Sequence, residues 1–365
     1  MSTLTLTRPS PPWRFRLRDG LVGLAEALTT PLVPADYLDL INPLRTGADL
    51  RARIVSVTPE TADAATITLR PTRAWRGHRP GQYVRIGIDI DGVRHWRAYS
   101  LTHAPTADGT ISITTKAIPD GLVSNHLVRG ARPGTMVMLD QATGDFILPT
   151  PLPAKVLFVT AGSGITPVMG MLRHHLAALP DVVHVHAAPT RSAVIFADEL
   201  RSYAASGLIR LHENHDDTDG FLDLADLDRL VPDWRERDVW TCGPTGLLDA
   251  AEGHWAAAGL ADRHHVERFR PTVIEAGEGG TVTFDRTDRT IDADGATAIL
   301  DAGEDAGVLM PSGCRMGICF GCVVTLREGA VRDLRSGDLT IAEPGDDLRI
   351  QTCINAAAGA CHIDL

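Results

Sequence analysis

Four cysteines near the end of the chain restrict its fold more than any other feature. Cys314, Cys319 and Cys322 follow the spacing Cys-x4-Cys-x2-Cys, and Cys353 comes further along the chain. Four thiolates at this spacing are typical ligands of a 2Fe–2S cluster. A loop that turns three thiolates onto one small inorganic core needs a permissive backbone, and the three glycines within residues 313–321 supply it.

Two other arrangements could use the same cysteines. A structural zinc site usually contains paired Cys-x2-4-Cys knuckles, whereas this chain has a single short pair. Separately buried cysteines would have no reason to be interleaved with glycines. The sequence therefore favours a 2Fe–2S cluster held by all four cysteines, and it suggests that the preceding segments deliver electrons to that cluster.

Length and composition indicate several globular domains. The chain has 365 residues, of which 44% are hydrophobic and 22% are charged, as in ordinary soluble proteins. We expect a cytoplasmic protein that does not itself span a membrane, because no apolar run is long enough and no signal peptide is recognisable. The six cysteines also suit a reducing compartment.

Charge is distributed unevenly along the chain. The net charge of −11 argues against nucleic acid as a partner. Residues 1–100 contain 14 arginines and 9 acidic residues, whereas residues 271–365 contain 7 arginines and 16 acidic residues. Either both regions are ordinary solvated surfaces, or the acidic terminal region docks on a basic surface of this chain or of an acceptor protein.

Sequence patterns divide the chain into four segments. Residues 1–48 have no periodic core of their own, and we expect an arm that packs on the next domain. Residues 49–150 contain short β-branched runs separated by turns, which predict an antiparallel β-barrel. Residues 151–270 alternate strands with helices and predict a parallel α/β sheet. Residues 271–365 form a terminal domain that contains the cysteine loop.

The terminal segment can be predicted in more detail. Its patterns indicate a hairpin over 281–292, a helix over 297–305 and strands at 322–326 and around residue 351. The cysteine loop lies between the helix and the strand at 322–326. A few strands with one helix predict an α+β fold.

Arg97, Tyr99 and Ser100 form the motif Arg-x-Tyr-Ser at the end of a predicted strand. Here the chain resembles the ferredoxin–NADP reductase superfamily, whose flavin signature is Arg-x-Tyr-Ser or Arg-x-Tyr-Thr. The resemblance implies that the arginine pairs with flavin phosphates, the tyrosine packs against the isoalloxazine and the hydroxyl group approaches flavin N5. A bidentate cation and a flat ring with a polar tip suit these roles. Without the resemblance, a strand tyrosine would be read as core.

A second segment, Gly121–Ser124 with Val123 inside it, strengthens the resemblance. In the superfamily this segment opens a helix whose amides hold the flavin pyrophosphate, and a helix N-terminus favours such an anion. A pyrophosphate implies FAD rather than FMN. Pro80–Tyr83 also stands where the superfamily expects it.

Two loops of the α/β segment are expected to bind the nicotinamide nucleotide. The first follows a buried strand and opens a helix, which is the context of a phosphate-binding loop as well as of any tight strand–helix turn. By resemblance it holds pyrophosphate and ribose, and the second loop brings its cysteine beside nicotinamide C4. The residues concerned are Gly162, Gly164, Thr166 and Pro167 in the first loop and Cys242, Gly243 and Pro244 in the second. Ser100 and Cys242 are thus the two residues expected at the reacting atoms.

The choice between NADPH and NADH depends on the segment that follows the strand predicted at 182–187. Thr190, Arg191 and Ser192 could hold the 2′-phosphate of NADPH, or Arg191 could contact the adenosine of either cofactor. Phe221 stands where many members of the superfamily have a basic residue near the adenosine, which weakens the NADP assignment. We expect a modest preference for NADPH.

The order of the domains matches superfamily members that carry a fused C-terminal plant-type ferredoxin of β-grasp fold. The resemblance covers about residues 50–365, and the stretch 28–44 is similar to actinobacterial reductases that serve acyl-CoA desaturases and alkane hydroxylases. It implies electron flow from NAD(P)H through FAD and the 2Fe–2S cluster to an acceptor protein.

The expected acceptor is a membrane-bound di-iron desaturase or hydroxylase, which would bring this chain to the membrane surface only through its partner. The alternative acceptor is a ring-hydroxylating dioxygenase or another multicomponent monooxygenase. A redox sensor is a third hypothesis, although a sensor would need no hydride donor.

Overall fold

The computed structural model describes three β-sheets in chain order, and the predicted classes of all three are confirmed. The expected N-terminal arm, residues 1–48, lies outside the described residues, and the segment boundaries stay predictions. The structure describes residues 50–119, 121–269, 276–313, 315–317 and 320–365. Within these residues no helix combines the length and the apolar composition needed to cross a bilayer.

The first sheet is an antiparallel barrel. Its strands are β1 (Arg51–Thr61), β2 (Ala64–Pro71), β3 (Tyr83–Ile90), β4 (Val93–Ser100), β5 (Ile111–Lys116) and β6 (Met136–Leu139). Their order is β4-β3-β6-β1-β2-β5, and a bridge between Leu101 and Ile113 joins the two outer strands. Helix α1 (Leu122–Asn125) continues as a π-turn over His126–Gly130 and adds Leu127 to the barrel core.

The second sheet is parallel throughout, with the order β11-β10-β7-β8-β9. Its strands are β7 (Val156–Ala161), β8 (Val182–Ala188), β9 (Arg210–His215), β10 (Asp238–Cys242) and β11 (His264–Glu267). The helices are α2 (Ile165–His175), α3 (Ala197–Ala205), α4 (Asp216–Asp219), α5 (Leu227–Leu230) and α6 (Thr245–Ala257). Because the order reverses between β7 and β10, the carboxyl ends of these two strands define a ligand crevice.

The third sheet is mixed and surrounds one helix, α7 (Ile299–Asp305). Its strands are β12 (Gly280–Phe284), β13 (Arg289–Ala293), β14 (Val323–Asp333), β15 (Leu339–Ala342), β16 (Leu348–Gln351) and β17 (Asn355–Ile363). The order is β13-β12-β17-β14-β15, and β16 pairs with β14. Ile299 and Leu300 bury the helix against the sheet.

Three strands of the third sheet differ from the sequence prediction. The strand expected at 322–326 extends to Asp333, and the predicted pattern lacks both β15 and the nine-residue strand β17. β17 lies between β12 and β14, where it pairs parallel with the former and antiparallel with the latter. Cys361, which we expected to be a core residue, is buried within it.

The three domains make direct contacts. Gly170 of α2 lies so close to the barrel that a Cβ there would be 2.4 Å from the carbonyl oxygen of Leu101. Arg173, one turn later, donates a hydrogen bond of 2.7 Å to the carbonyl oxygen of Thr102. A third contact joins the cysteine loop to the barrel, where Met316 packs with Tyr83 of β3.

Candidate functional site

The two predicted nucleotide loops meet at the crevice between β7 and β10. A Cβ on Gly164 would lie 2.1 Å from the carbonyl oxygen of Cys242 and 2.7 Å from the nitrogen of Gly243. No side chain fits such a gap, so glycine is required there. Gly162 has a φ of 52°, in the left-handed region that favours glycine. The structure therefore brings the two loops together, and nucleotide binding at them stays a prediction.

Two residues of the first loop shape the turn instead of facing solvent. Thr166 and Pro167 are buried in the first turn of α2, and the Thr166 hydroxyl donates to the carbonyl oxygen of Ser163 at 2.9 Å. Pro244 is exposed at the start of α6. While it makes this hydrogen bond, the Thr166 hydroxyl can accept a hydrogen bond from a nucleotide but cannot donate one.

The Cys242 side chain is wholly buried at the end of β10. Burial, reinforced by Glu267, raises the pKa of its thiol well above the ordinary value, so the group is uncharged near neutral pH. An uncharged thiol is a poor nucleophile. Cys242 can therefore form a neutral wall of the crevice, but the structure gives no support for covalent chemistry at its sulfur.

Glu267 is a further titratable group at this edge, and it is not among the site residues predicted from the sequence. It pairs with Cys242 in the β10–β11 ladder. Burial, with a smaller effect of Asp145, raises the pKa of its carboxyl group to about 7. The signal available in the sequence was its place at the carboxyl end of the next parallel strand.

The flavin motif lies on β4 and points in part into the barrel. Arg97 and Tyr99, two residues apart, share one face of the strand. Burial raises the pKa of the Tyr99 hydroxyl to about 12, although a hydrogen bond with Thr115 opposes the shift. Ser100 is only 4% exposed and directly precedes Leu101, whose carbonyl oxygen contacts α2. The motif therefore ends at the junction of the barrel with the nucleotide domain.

The predicted pyrophosphate segment does open a helix, since α1 begins directly after Gly121. The Ser124 hydroxyl donates to the carbonyl oxygen of Gly121 at 3.1 Å and accepts from the nitrogen of Ile118 at 3.3 Å. The Val123 side chain is buried in the barrel core. These side chains hold the turn, so main-chain amides are the groups through which the segment could bind phosphate.

Arg191 lies in a short 3-10 turn after β8 and is 71% exposed. Its Nη1 is 3.9 Å from Oε2 of Glu213, a carboxylate that Arg201 already binds through two hydrogen bonds of 3.0 Å. Thr190 and Ser192 share a hydrogen bond of 3.0 Å beside it. An exposed cation and two hydroxyl groups therefore lie at the sheet edge where the adenosine end of a nucleotide is expected.

Cys322 and Cys353 come together although they belong to different elements. Their Sγ atoms are 3.1 Å apart and both side chains are buried, and the separation is too long for a disulfide bond. Cys314 and Cys319 lie outside the described residues. The loop has left-handed backbone at Arg315 and Phe320, with φ of 60° and 57°. Two adjacent buried thiols, with left-handed residues in the loop that precedes Cys322, fit a thiolate-bound cluster.

Three family models match consecutive parts of the chain. The oxidoreductase FAD-binding domain matches residues 52–147, and the oxidoreductase NAD-binding domain matches residues 158–253. The 2Fe-2S iron-sulfur cluster binding domain matches residues 282–357. The predicted cofactors, which are FAD, a nicotinamide nucleotide and a 2Fe–2S cluster, are thereby confirmed.

Whole-chain relatives agree with these models. The chain is 49% identical over 354 residues to an NADPH oxidoreductase of Mycobacterium tuberculosis (strain H37Rv), covering 95% of this chain and 92% of that one. It is 32% identical to the ferredoxin reductase component of 3-ketosteroid-9-alpha-monooxygenase of Mycolicibacterium smegmatis, covering 82% and 87%.

Solved structures agree on the architecture. Phthalate dioxygenase reductase superposes with a TM-score of 0.59 at 23% identity, over 87% of this chain and 98% of that one. At this identity the likeness shows the fold alone. Fold, matched domains and relatives together identify an NAD(P)H-dependent oxidoreductase. The chain belongs to the ferredoxin–NADP reductase superfamily, in the group that has a C-terminal 2Fe–2S domain and the fold of phthalate dioxygenase reductase.

Proposed function

We propose that this chain takes a hydride from NADPH and delivers single electrons through FAD and a 2Fe–2S cluster to an oxygen-activating acceptor protein. The observation that carries the proposal is the packing of Met316, from the cysteine loop, against Tyr83 and Ala98. Ala98 lies between Arg97 and Tyr99 of the flavin motif. The cluster loop and the flavin strand are therefore neighbours, as electron transfer between them requires.

The chain's own residues would act mainly by positioning the cofactors and by placing an uncharged side chain beside the nicotinamide. FAD, when bound, accepts electrons as a pair and passes them on singly to the cluster. The loops at Gly162–Gly164 and Cys242–Pro244 would hold the nucleotide, with the neutral Cys242 thiol as the wall beside the nicotinamide. The Ser100 hydroxyl would hold a proton near the flavin at the domain junction.

The preference for NADPH rests on Arg191 with Thr190 and Ser192, and the name of the Mycobacterium tuberculosis relative supports it. The test compares kcat/KM for NADPH and NADH in Arg191→Ala. Arg229→Ala is a matched control, because Arg229 is also 71% exposed and carries the same charge. We expect Arg191→Ala to lower kcat/KM for NADPH alone. An equal loss with both nucleotides would contradict the assignment.

The proposed acceptor is a membrane-bound di-iron enzyme that desaturates acyl chains or hydroxylates alkanes. The support is the resemblance of residues 28–44 to reductases of such systems, together with the acidic terminal region. Cytoplasmic loops of membrane proteins carry excess Lys and Arg, which an acidic surface would attract at low salt. In this proposal the chain reaches the membrane through its partner.

A second candidate acceptor is a monooxygenase or ring-hydroxylating dioxygenase, which the name of the Mycolicibacterium smegmatis relative favours. The deciding experiment supplies NADPH and this protein to membranes that contain one candidate desaturase or alkane hydroxylase, and separately to a purified oxygenase. Cys353→Ser, which should lack the cluster, controls for electrons that bypass it. Product with the oxygenase alone would reject the membrane acceptor.

Charge reversal can then test the docking surface. Asp338 is exposed and its carboxylate accepts a hydrogen bond of 2.7 Å from the Ser336 hydroxyl, whereas the carboxylate of Asp333 is bound by the main chain and side chain of Arg335 at 2.8 and 3.1 Å. Asp338→Lys should slow turnover more at low salt than at high salt. Asp333→Lys would disturb the domain itself and is therefore unsuitable as a docking probe.

A further inference from the structure

We infer that an ion triad of Arg315, Asp301 and Glu304 docks the cysteine loop on β4, the barrel strand that carries the flavin motif. This makes Arg315 a positioning residue for flavin-to-cluster electron transfer. The consequence for turnover rests on the proposed function. The docking itself is a property of the folded chain and can be tested without any acceptor protein.

The first observation is the number of bonds that Arg315 makes. Its Nη1 donates to Oδ1 of Asp301, and its Nη2 donates to both carboxylate oxygens of Glu304. The arginine side chain is only 19% exposed, and its backbone adopts the left-handed φ of 60°. A left-handed backbone is unfavourable for a residue with a Cβ, so the surrounding contacts must hold it.

The second observation is that the triad lies near enough to β4 to interact with its charged residues. Arg97 of β4 interacts electrostatically with Arg315, Glu304 and Asp301. His95, two residues earlier on the same strand, interacts with Glu304 and Arg315. The guanidinium groups of Arg97 and Arg315 carry like charges that repel each other at this junction, and the two carboxylates of the triad offset that repulsion.

The third observation is the apolar contact beside the triad. Met316 follows Arg315 directly and packs against Tyr83 and Ala98. One segment of the loop therefore contributes a charged residue and an apolar residue to the same junction. Because the flavin motif is on the same strand as Ala98, losing this junction would move the loop away from the flavin.

The triad makes a specific prediction about single-charge removal. Glu304→Gln keeps the shape of the side chain but leaves Arg97 and Arg315 with only Asp301 between them. Asp305→Asn is the matched control, since it removes the same charge from an exposed position of the same helix. Both variants change net charge equally, so a general charge effect would appear in both.

The primary measurement is hydrogen–deuterium exchange of peptides that cover β4 and α7, in holoprotein without NADPH or acceptor. Glu304→Gln should exchange about tenfold faster in β4 than the wild type, which corresponds to about 1.4 kcal/mol of docking free energy. Asp305→Asn should match the wild type. Wild-type exchange in Glu304→Gln, or equal acceleration in both variants, would overturn the inference.

A kinetic measurement separates docking from the rest of the reaction. After anaerobic mixing with NADPH, flavin reduction in Glu304→Gln should keep its wild-type rate, while cluster reduction should slow by a similar factor. The absorbance of the oxidised cluster before mixing must be normal, which excludes cluster loss as the cause. Failure of the protein to reduce any oxygenase would contradict the proposed function and leave the docking result intact.

Discussion

Replacing Gly164 with alanine should damage the nucleotide crevice more than any other single-methyl change near it. The added Cβ would lie 2.1 Å from the Cys242 oxygen, 2.4 Å from the Cys242 carbonyl carbon and 2.7 Å from the Gly243 nitrogen. All three atoms belong to the backbone of β10 and its loop, so no side-chain rotation can relieve the contact. Either α2 or the end of β10 must move.

The size of the effect follows from the distances. Moving the methyl group from 2.1 Å to at least 3.0 Å from the oxygen requires a shift of about 0.9 Å. Overpacking of this kind typically costs about 1–3 kcal/mol of unfolding free energy. A misplacement of about 1 Å at reacting groups can cost roughly 10²-fold in rate. We therefore expect modest destabilisation and a much larger loss of hydride transfer.

The assay combines urea denaturation with the rate of flavin reduction by NADPH under anaerobic conditions. Gly253→Ala is the control, because Gly253 lies within α6 and has no heavy atom within 4 Å of the added Cβ. Alanine there should stabilise the helix by up to about 1 kcal/mol. Wild-type stability and hydride transfer in Gly164→Ala would refute the close approach of the two loops.

Three further predictions concern the cluster, the carboxyl group at the crevice and a buried ion pair. Cys353→Ser should abolish the visible absorbance of the cluster while NADPH-driven dye reduction persists, and Cys361→Ser should leave both unchanged; intact absorbance in Cys353→Ser would remove that residue from the ligand set. The carboxyl group of Glu267 has a pKa of about 7 in the folded chain, against an ordinary value of 4.5. Between these two pH values, the folded chain holds a proton that the unfolded chain has released. The unfolding free energy therefore falls by up to about 3 kcal/mol as the pH rises from the lower value to the higher. Glu267→Gln should therefore raise the melting temperature relative to the wild type at pH 8 but not at pH 4, and a difference independent of pH would contradict this. Arg237 is fully buried against Asp181 and Asp233, so Arg237→Met should lower the unfolding free energy, measured in urea, by about 3 kcal/mol. This is the low end for a broken buried ion pair, because both aspartates are partly exposed. No measurable loss would contradict the prediction.

Sequence patterns predicted most of this fold because its strands are rich in β-branched residues. One strand that they missed, β17 (Asn355–Ile363), contains a run of alanines, which favour helix in isolation. It becomes a strand because β12 and β14 offer hydrogen-bonding partners on both sides. Ala356 and Ala357 are fully buried there. That tertiary context overrides local preference and is invisible to a short sequence window.

The motifs located the site, but they did not predict what each side chain does. The alternation of strands and helices placed the loops at Gly164 and Cys242 at the ends of parallel strands, and the resemblance to the superfamily assigned both loops to one nucleotide. Neither could show that the Ser124 hydroxyl is occupied by its own turn, or that Val123 belongs to the core. Such assignments depend on rotamers and neighbours that come from distant parts of the chain.

Buried histidines illustrate the same limit. Thr160 on β7 lies 2.7 Å from His184 Nε2 and 2.7 Å from His186 Nδ1 on β8. Burial lowers the pKa of His184 well below its ordinary value and that of His186 to about 3. Both rings are therefore uncharged core residues near neutral pH. The sequence showed two histidines on a strand without revealing the threonine that holds them.

The contact between α2 and the barrel constrains how this enzyme could be re-engineered by exchanging domains. A foreign nucleotide domain, grafted to change cofactor preference, would need a residue without a side chain at the position of Gly170, since Leu101 leaves no space. It would also need a donor at the position of Arg173 to satisfy the Thr102 carbonyl group. Chimaeras that keep α2 and replace only the adenosine-side loops should therefore fold. Exchanges at the domain boundary should fail to fold, because they disrupt the contact between α2 and the barrel.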